Sequence, residues 1–153
     1  MAGLGANESD KGRARKPIDV AAGLVFRNRR LLITQRRPND HLGGLWEFPG
    51  GKRETNESFE ACLERELMEE LGIVVAVREL IDRVTHDYPE RSVSIRFYRC
   101  EWLAREPTAI GCADFKWVGP NEMADCSFPA ADSQMLSVLQ KSPQLWEGTA
   151  GTA

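Results

Sequence analysis

Between residues 93 and 98, Val93, Ile95 and Phe97 alternate with Ser94, Arg96 and Tyr98, a period of two that predicts a strand with one face in a core. Residues 18–26 are apolar and β-rich. Residues 31–35 repeat that character after a short Arg-Asn-Arg-Arg turn, which predicts a hairpin. Residues 38–44 read as a loop and residues 46–48 as a short extended run. A strand resumes at 73–80, another covers 114–118, and 121–124 suits a helical turn. The period changes at residues 58–71, which contain no Gly or Pro and are rich in Glu, Leu, Ala and Met, so this stretch predicts a helix. Thr55 or Asn56 is the expected cap at its start, and Gly72 suits the left-handed residue that ends it. A second amphipathic helix is predicted over 131–140, carrying Met135, Leu136 and Leu139. No internal repeat is present. Strands interrupted by two separated helices indicate an α/β layered domain.

At about 100° per residue, an arc of roughly 120° on the first helix holds Phe59, Cys62, Leu63, Glu66, Glu69 and Glu70. The expected inward stripe is therefore apolar at first and ends in three carboxylates. Like charges at i, i+3 and i+4 destabilise a helix by a few tenths of a kcal/mol per pair. A hard divalent cation bound through oxygen offsets that repulsion. The competing reading is a solvated acidic face, but the acids continue the apolar stripe, and Arg65 is the only basic residue in this helix.

The 153 residues suit one domain with a real core. A net charge of −3, with both signs mixed along the chain, argues against an extended nucleic-acid partner. No apolar run reaches the roughly 18 residues that span a membrane, and no secretory leader is read at the start. The four cysteines form no Cys-x-x-Cys pair, and Cys62 on the inward stripe and Cys100 in a predicted strand read as reduced core residues, which fits a cytoplasmic location. Residues 1–16, with clustered Lys and Arg, are expected to be a disordered basic tail; residues 17–142 form the domain, and 143–153 a flexible C-terminal tail.

Five residues separate Gly51 from Glu57, and seven more precede Arg65-Glu66. An aliphatic residue, Glu69-Glu70, Gly72 and Ile73 complete the pattern. At average residue usage this pattern arises by chance with probability on the order of 10⁻⁸ per start point. It resembles the Nudix box, with every fixed position filled. The resemblance covers residues 18–139 and implies an α/β/α sandwich around a central mixed β-sheet. It also implies a hydrolase that cleaves a diphosphate linked to another moiety, using Mg²⁺ with Mn²⁺ as the alternative. The metal ligands it implies are Glu66, Glu69, Glu70 and the carbonyl of Gly50. Glu66, Arg65 and Glu69 are the catalytic candidates, with Gly51, Glu57 and Gly72 in support. Arg65 either pairs with Glu57 to fix the loop against the helix or makes a surface ion pair of little weight.

Residues 35–52, running through Glu47-Phe48-Pro49-Gly50-Gly51-Lys52 into the box, are similar to the MutT subgroup, which hydrolyses 8-oxo-dGTP to its monophosphate and pyrophosphate. The similarity implies nucleotide contacts from Arg36, His41, Glu47, Phe48, Pro49 and Gly50, and a base-reading role for Asp132. Two positions depart from that pattern. Asp132 stands where an amide is expected, and an ionised carboxylate only accepts hydrogen bonds, which also suits the amine of cytosine. An extra loop carboxylate of the subgroup falls at Gly111, leaving Asp114 as the nearest acid. The expectation is a nucleoside triphosphate pyrophosphohydrolase acting on 8-oxo-dGTP, as a monomer or dimer. The alternatives are a CTP or dCTP pyrophosphohydrolase, an RNA 5′-pyrophosphohydrolase, and a non-catalytic nucleotide-binding module.

Overall fold

The computed structural model describes residues 16–147. The two expected tails lie outside that range except for Lys16 and residues 143–147. Seven strands run in chain order: β1 (Ile18–Arg27), β2 (Arg30–Gln35), β3 (Trp46–Glu47), β4 (Gly50–Lys52), β5 (Val74–Asp87), β6 (Ser92–Ala104) and β7 (Asp114–Val118). The helices are α1 (Phe59–Leu71), α2 (Ser133–Lys141) and α3 (Pro143–Glu147), with 3₁₀ turns at Met123–Asp125 and Ala130–Asp132.

The sheet runs β3-β2-β1-β6-β5, with β4 pairing β1 and β7 pairing β2. It is mixed, because β1 and β6 are parallel from Ile18↔Val93 to Val25↔Cys100 while every other pairing is antiparallel. The β1–β2 hairpin closes through Asn28 and Arg29, both at positive φ (52° and 61°), the pair of left-handed residues that a two-residue hairpin turn requires. Alternation along β1 then sorts the core into two layers. Ala22, Leu24 and Phe26 pack with Met135, Leu139 and Trp146, whereas Ala21 and Val25 pack with Cys62, Leu63, Leu67 and Leu71 of α1. Helices thus cover both faces, as the three-layer expectation required.

Four local expectations change. Ser58, rather than Thr55 or Asn56, caps α1, its hydroxyl accepting from the Ala61 amide at 3.0 Å. Strand β5 continues seven residues past position 80, because register shifts at Val77/Leu80 and Leu80/Asp82 break the alternation by which a strand is recognised. The Gly50–Lys52 segment, read as part of a connecting run, is a strand held by register with Val20–Ala22, which Gly-Gly composition alone does not reveal. Residues 143–147, expected to fray, form α3. Trp146 is only 4% exposed there, edge-on to Phe26 at 5.3 Å, with its indole N–H donating to the Leu139 carbonyl at 3.1 Å. Pro143 stands at the first helical position, where its missing N–H does no harm.

Candidate active site

Two structures converge at the end of β4: a cleft between the sheet and the Ala130–Asp132 turn, and the acidic end of α1. The cleft holds about 800 Å³ of empty space, part of it open to solvent. Its apolar floor includes Val20, Val93, Ile95 and Phe48. Phe48 is buried edge-on to Phe97 at 5.7 Å and tilted against Phe128 at 5.2 Å. Arg36, His41, Glu47, Gly50 and Asp132 also line the cleft, so five more of the expected substrate contacts are brought together. Pro49 is the exception. It does not line the cleft, and its carbonyl accepts from the Gly23 amide at 2.8 Å as part of the strand packing.

Arg36 is held before any ligand arrives. Its Nη1 donates to Glu47 at 2.9 Å and its Nε to the His41 carbonyl at 2.5 Å, tying the 38–44 loop to β3. Burial nonetheless raises the pKa of Glu47, with the Arg36 charge opposing. Asp132 is 7% exposed and its carboxylate caps nothing in α2. Burial first, then the charge of Glu47, pushes its pKa up to about 8, again against Arg36.

Arg65 organises the box. It makes a two-pronged pair with Glu57 at 2.7 and 3.0 Å, reaches Glu69 at 2.8 Å and Glu66 at 3.4 Å, and donates to the Lys52 carbonyl at 3.1 Å. This geometry supports the loop-fixing reading over the idle surface pair, since one planar guanidinium joins the 52–57 segment to α1. The hydrogen bonds from Arg65 hold Glu57 down to about 2.

The three box carboxylates diverge. Glu69 sits at the outer margin of α1, 55% exposed and paired with Arg65, while the buried face runs through Cys62, Leu63, Leu67 and Leu71. Sheet packing covers a wider sector of the helix than a 120° arc, and Leu67 falls within it. Glu66 lies against Gly51, where an added Cβ would stand 2.3 Å from its carboxylate carbon. Gly50 is equally constrained, since a Cβ there would meet the Ala21 carbonyl oxygen at 1.9 Å. Burial raises the pKa of Glu66. Glu70 is pushed up to about 8 by burial and the charge of Glu47, and its Oε1 is buried without a hydrogen-bond partner, as is Thr34 Oγ1. The Thr34 hydroxyl lowers the Glu70 pKa without reaching hydrogen-bonding geometry.

Among the described residues no three His, Cys, Asp or Glu side chains stand together as a ready-made chelate. The donor chemistry still fits a hard cation. Glu66 and Glu70 are oxygen donors with their proton affinity raised by burial, one of them with an oxygen that nothing satisfies, beside a glycine pair that admits backbone approach. Glu69 joins them only by leaving Arg65.

Asp114 lies on the strand face turned away from α1. It pairs Gln35 across β7 and β2, one position out of phase with the Thr34↔Phe115 pair whose side chains face α1. It accepts instead from the Phe115 amide at 2.7 Å. The equivalent loop serves the helix through its backbone, with Ile110 and Gly111 amides on the Glu70 carbonyl at 3.1 and 2.9 Å and Thr108 on that of Leu71 at 2.9 Å. Cleft residues that the sequence reading missed are Lys52, Tyr88 and Arg91. The Tyr-Pro-Glu-Arg turn signal at 88–91 was visible, but nothing local ties it to the site.

A family model described as NUDIX domain matches residues 21–138. The chain is 44% identical over 90 residues to an 8-oxo-dGTP diphosphatase of Proteus vulgaris, covering 58% of this chain and 80% of that protein. It is 36% identical over 128 residues to an 8-oxo-dGTP diphosphatase of Haemophilus influenzae, covering 82% and 93%. It is 31% identical over 124 residues to a CTP pyrophosphohydrolase of Escherichia coli, covering 81% and 92%. Among solved structures, the Escherichia coli ORF135 protein superposes with a TM-score of 0.72 at 29% identity, covering 84% of this chain and 92% of that one.

Proposed function

This chain belongs to the Nudix domain family, hydrolases acting on phosphoric anhydrides, and on that premise we propose that it converts 8-oxo-dGTP to its monophosphate and pyrophosphate with Mg²⁺. One observation carries the reading. A single cleft has the aromatic Phe48 and the buried Asp132 lining it and meets, at Gly50–Gly51, the carboxylate of Glu66. A base held by the first pair lays its phosphates toward the acids.

Glu66, Glu70, Glu69 and the Gly50 carbonyl would hold the cation, with Mn²⁺ as the alternative. When bound, it supplies charge neutralisation of the triphosphate and a bound water of lowered pKa. Arg65 keeps the 52–57 segment, and with it Gly51, pressed to α1. Arg36 and Glu47 neutralise one another at the cleft wall, so a nucleotide meets a preformed polar surface at little ordering cost. Among the described residues no helix is long and apolar enough to cross a membrane. Removing divalent cations with a chelator is expected to abolish pyrophosphate release, and added Mg²⁺ to restore it. Turnover that survives exhaustive chelation would sink the metal assignment.

The protonation of Asp132 supports the oxidised-guanine reading by restoring the donor that an ionised carboxylate lacks. A carboxyl held neutral up to about pH 8 offers an O–H donor and a carbonyl acceptor, as an amide does. The sequence expectation of an acceptor-only group is revised accordingly. 8-Oxoguanine presents O6 as an acceptor beside N7–H as a donor, whereas the N7 of guanine is an acceptor, so a donor–acceptor pair separates them. The charged groups acting on Asp132 are Glu47, which raises its pKa, and Arg36, which lowers it. Because the folded-state pKa is raised, the donor is present at neutral pH and lost as pH rises through about 8. The preference for 8-oxo-dGTP over dGTP is therefore expected to fall about tenfold between pH 7 and 9, while Asp132→Asn holds it constant and matches wild type near pH 7. Ratios of kcat/KM across pH check this. A pH-independent ratio in the wild type would mean that the Asp132 proton takes no part in reading the base.

A further inference from the structure

We propose that Tyr88 sets base specificity by positioning Asp132. The proposal rests on the base-reading role given to Asp132 above. Tyr88 joins three parts of the cleft. Its hydroxyl accepts from the Ala131 amide at 2.9 Å, one residue before Asp132. Its ring stands edge-on to His41 of the 38–44 loop, at 6.0 Å and 84°, and packs against His86 at 4.5 Å. It also lines the cleft directly.

Tyr88 is fit for this role because its own backbone is fixed. It opens the β5–β6 turn, with its amide on the Arg91 carbonyl at 2.8 Å and the Arg91 amide returning at 3.2 Å. Pro89 presets the second turn position, and a hydrogen bond from the Ser92 hydroxyl to Asp87 closes the hairpin below. A rigid turn on the sheet therefore presents one oxygen to the Ala130–Asp132 segment.

That segment needs an external anchor. It is three residues long, and within it the Asp132 amide reaches back to Pro129 at 3.0 Å. The Asp132 side chain makes no capping bond that would fix its direction. Ala131 is buried, so its N–H has no water to turn to if the tyrosine oxygen is withdrawn. The loss would be relieved by rotation of the turn, and Asp132 would move with it. Tyr88 is thus a positioning residue, and its effect should fall on discrimination between bases, leaving bond cleavage at the acids of α1 intact.

The test measures kcat and KM for 8-oxo-dGTP, dGTP and CTP in wild type, Tyr88→Phe, Asp132→Ala and the double variant. Deleting one hydroxyl retains the ring contacts, and near-UV circular dichroism verifies the fold. Tyr88→Phe is expected to lose about fivefold in kcat/KM for 8-oxo-dGTP, through KM, with kcat within about twofold of wild type. Its preference for 8-oxo-dGTP over CTP should fall in step. In the double variant the ratios should stay close to those of Asp132→Ala, since the hydroxyl then has no base-reading group left to position. A folded Tyr88→Phe with wild-type ratios, or fully additive changes in the double variant, overturns the proposal while leaving the hydrolase reading intact. A wild-type chain that hydrolyses none of the three overturns both.

Discussion

A Glu70→Gln variant is expected to lose at least about 10²-fold in kcat/KM with Mg²⁺ while its metal-free form melts no lower than wild type. The two halves of this result have one cause. Glu70 is a carboxylate held under α1 with one oxygen unsatisfied, and burial first, then the charge of Glu47, pushes its pKa to about 8. Such a group destabilises the fold unless a cation or a proton neutralises it. In the unfolded chain it ionises near the ordinary carboxylate value, so with a raised folded-state pKa its stability contribution is intact below pH 4.5 and is lost as pH rises toward 8. The amide is neutral throughout, and so the variant should gain on the order of 2–4 kcal/mol on wild type by pH 8. It surrenders, however, an anionic oxygen for the cation. Paired thermal melts and kinetics separate the effects. Half or more of wild-type turnover would remove Glu70 from the metal set, and a marked drop in Tm would mean that the carboxylate has a partner worth keeping.

Gly51→Ala is expected to cost at least about 10²-fold in kcat, with a smaller loss in Tm. Its Cβ would stand 2.3 Å from the Glu66 carboxylate carbon, and Gly51 is fixed by its ladder position opposite Ala21. The carboxylate is the part able to move, and moving it takes Glu66 away from the cleft end where the phosphates are placed. A displacement of about 1 Å in a catalytic group is enough for an effect of this size. Single-turnover rates at saturating Mg²⁺ check it, and titrating Mg²⁺ shows whether affinity falls in parallel. An alanine variant as active as wild type would mean that Glu66 yields without consequence and takes no part in the chemistry.

The box region was legible because its signals are local. A helix without Gly or Pro, an αL glycine at its end, and the spacing of Arg65 from Glu57 are all features of a short stretch of chain. The structure returns them as α1, Gly72 at φ 71°, and the two-pronged Arg65–Glu57 pair. Alternation in residues 93–98 likewise became β6, and the predicted hairpin closed at Asn28–Arg29. Where local pattern was interrupted, reading failed: bulges hid the second half of β5, and five residues were too few for periodicity to reveal α3.

By itself, then, the sequence determined the α/β layered class, the helix that carries the acids, and the glycine pair beside them, because backbone propensity and side-chain spacing are set within a few residues. Which way each acid points was decided by packing. Glu69 turned out to Arg65, Glu66 lay on Gly51, and Glu70 was buried toward Glu47, from another strand. The state of Asp132 was decided in the same manner, since neither its burial nor the nearness of Glu47, 85 positions earlier in the chain, is written near residue 132. Tyr88 reached the site only because β5 ends over the Ala130–Asp132 turn. Desolvation and charge–charge interaction depend on distance in space, and only the folded chain fixes that distance.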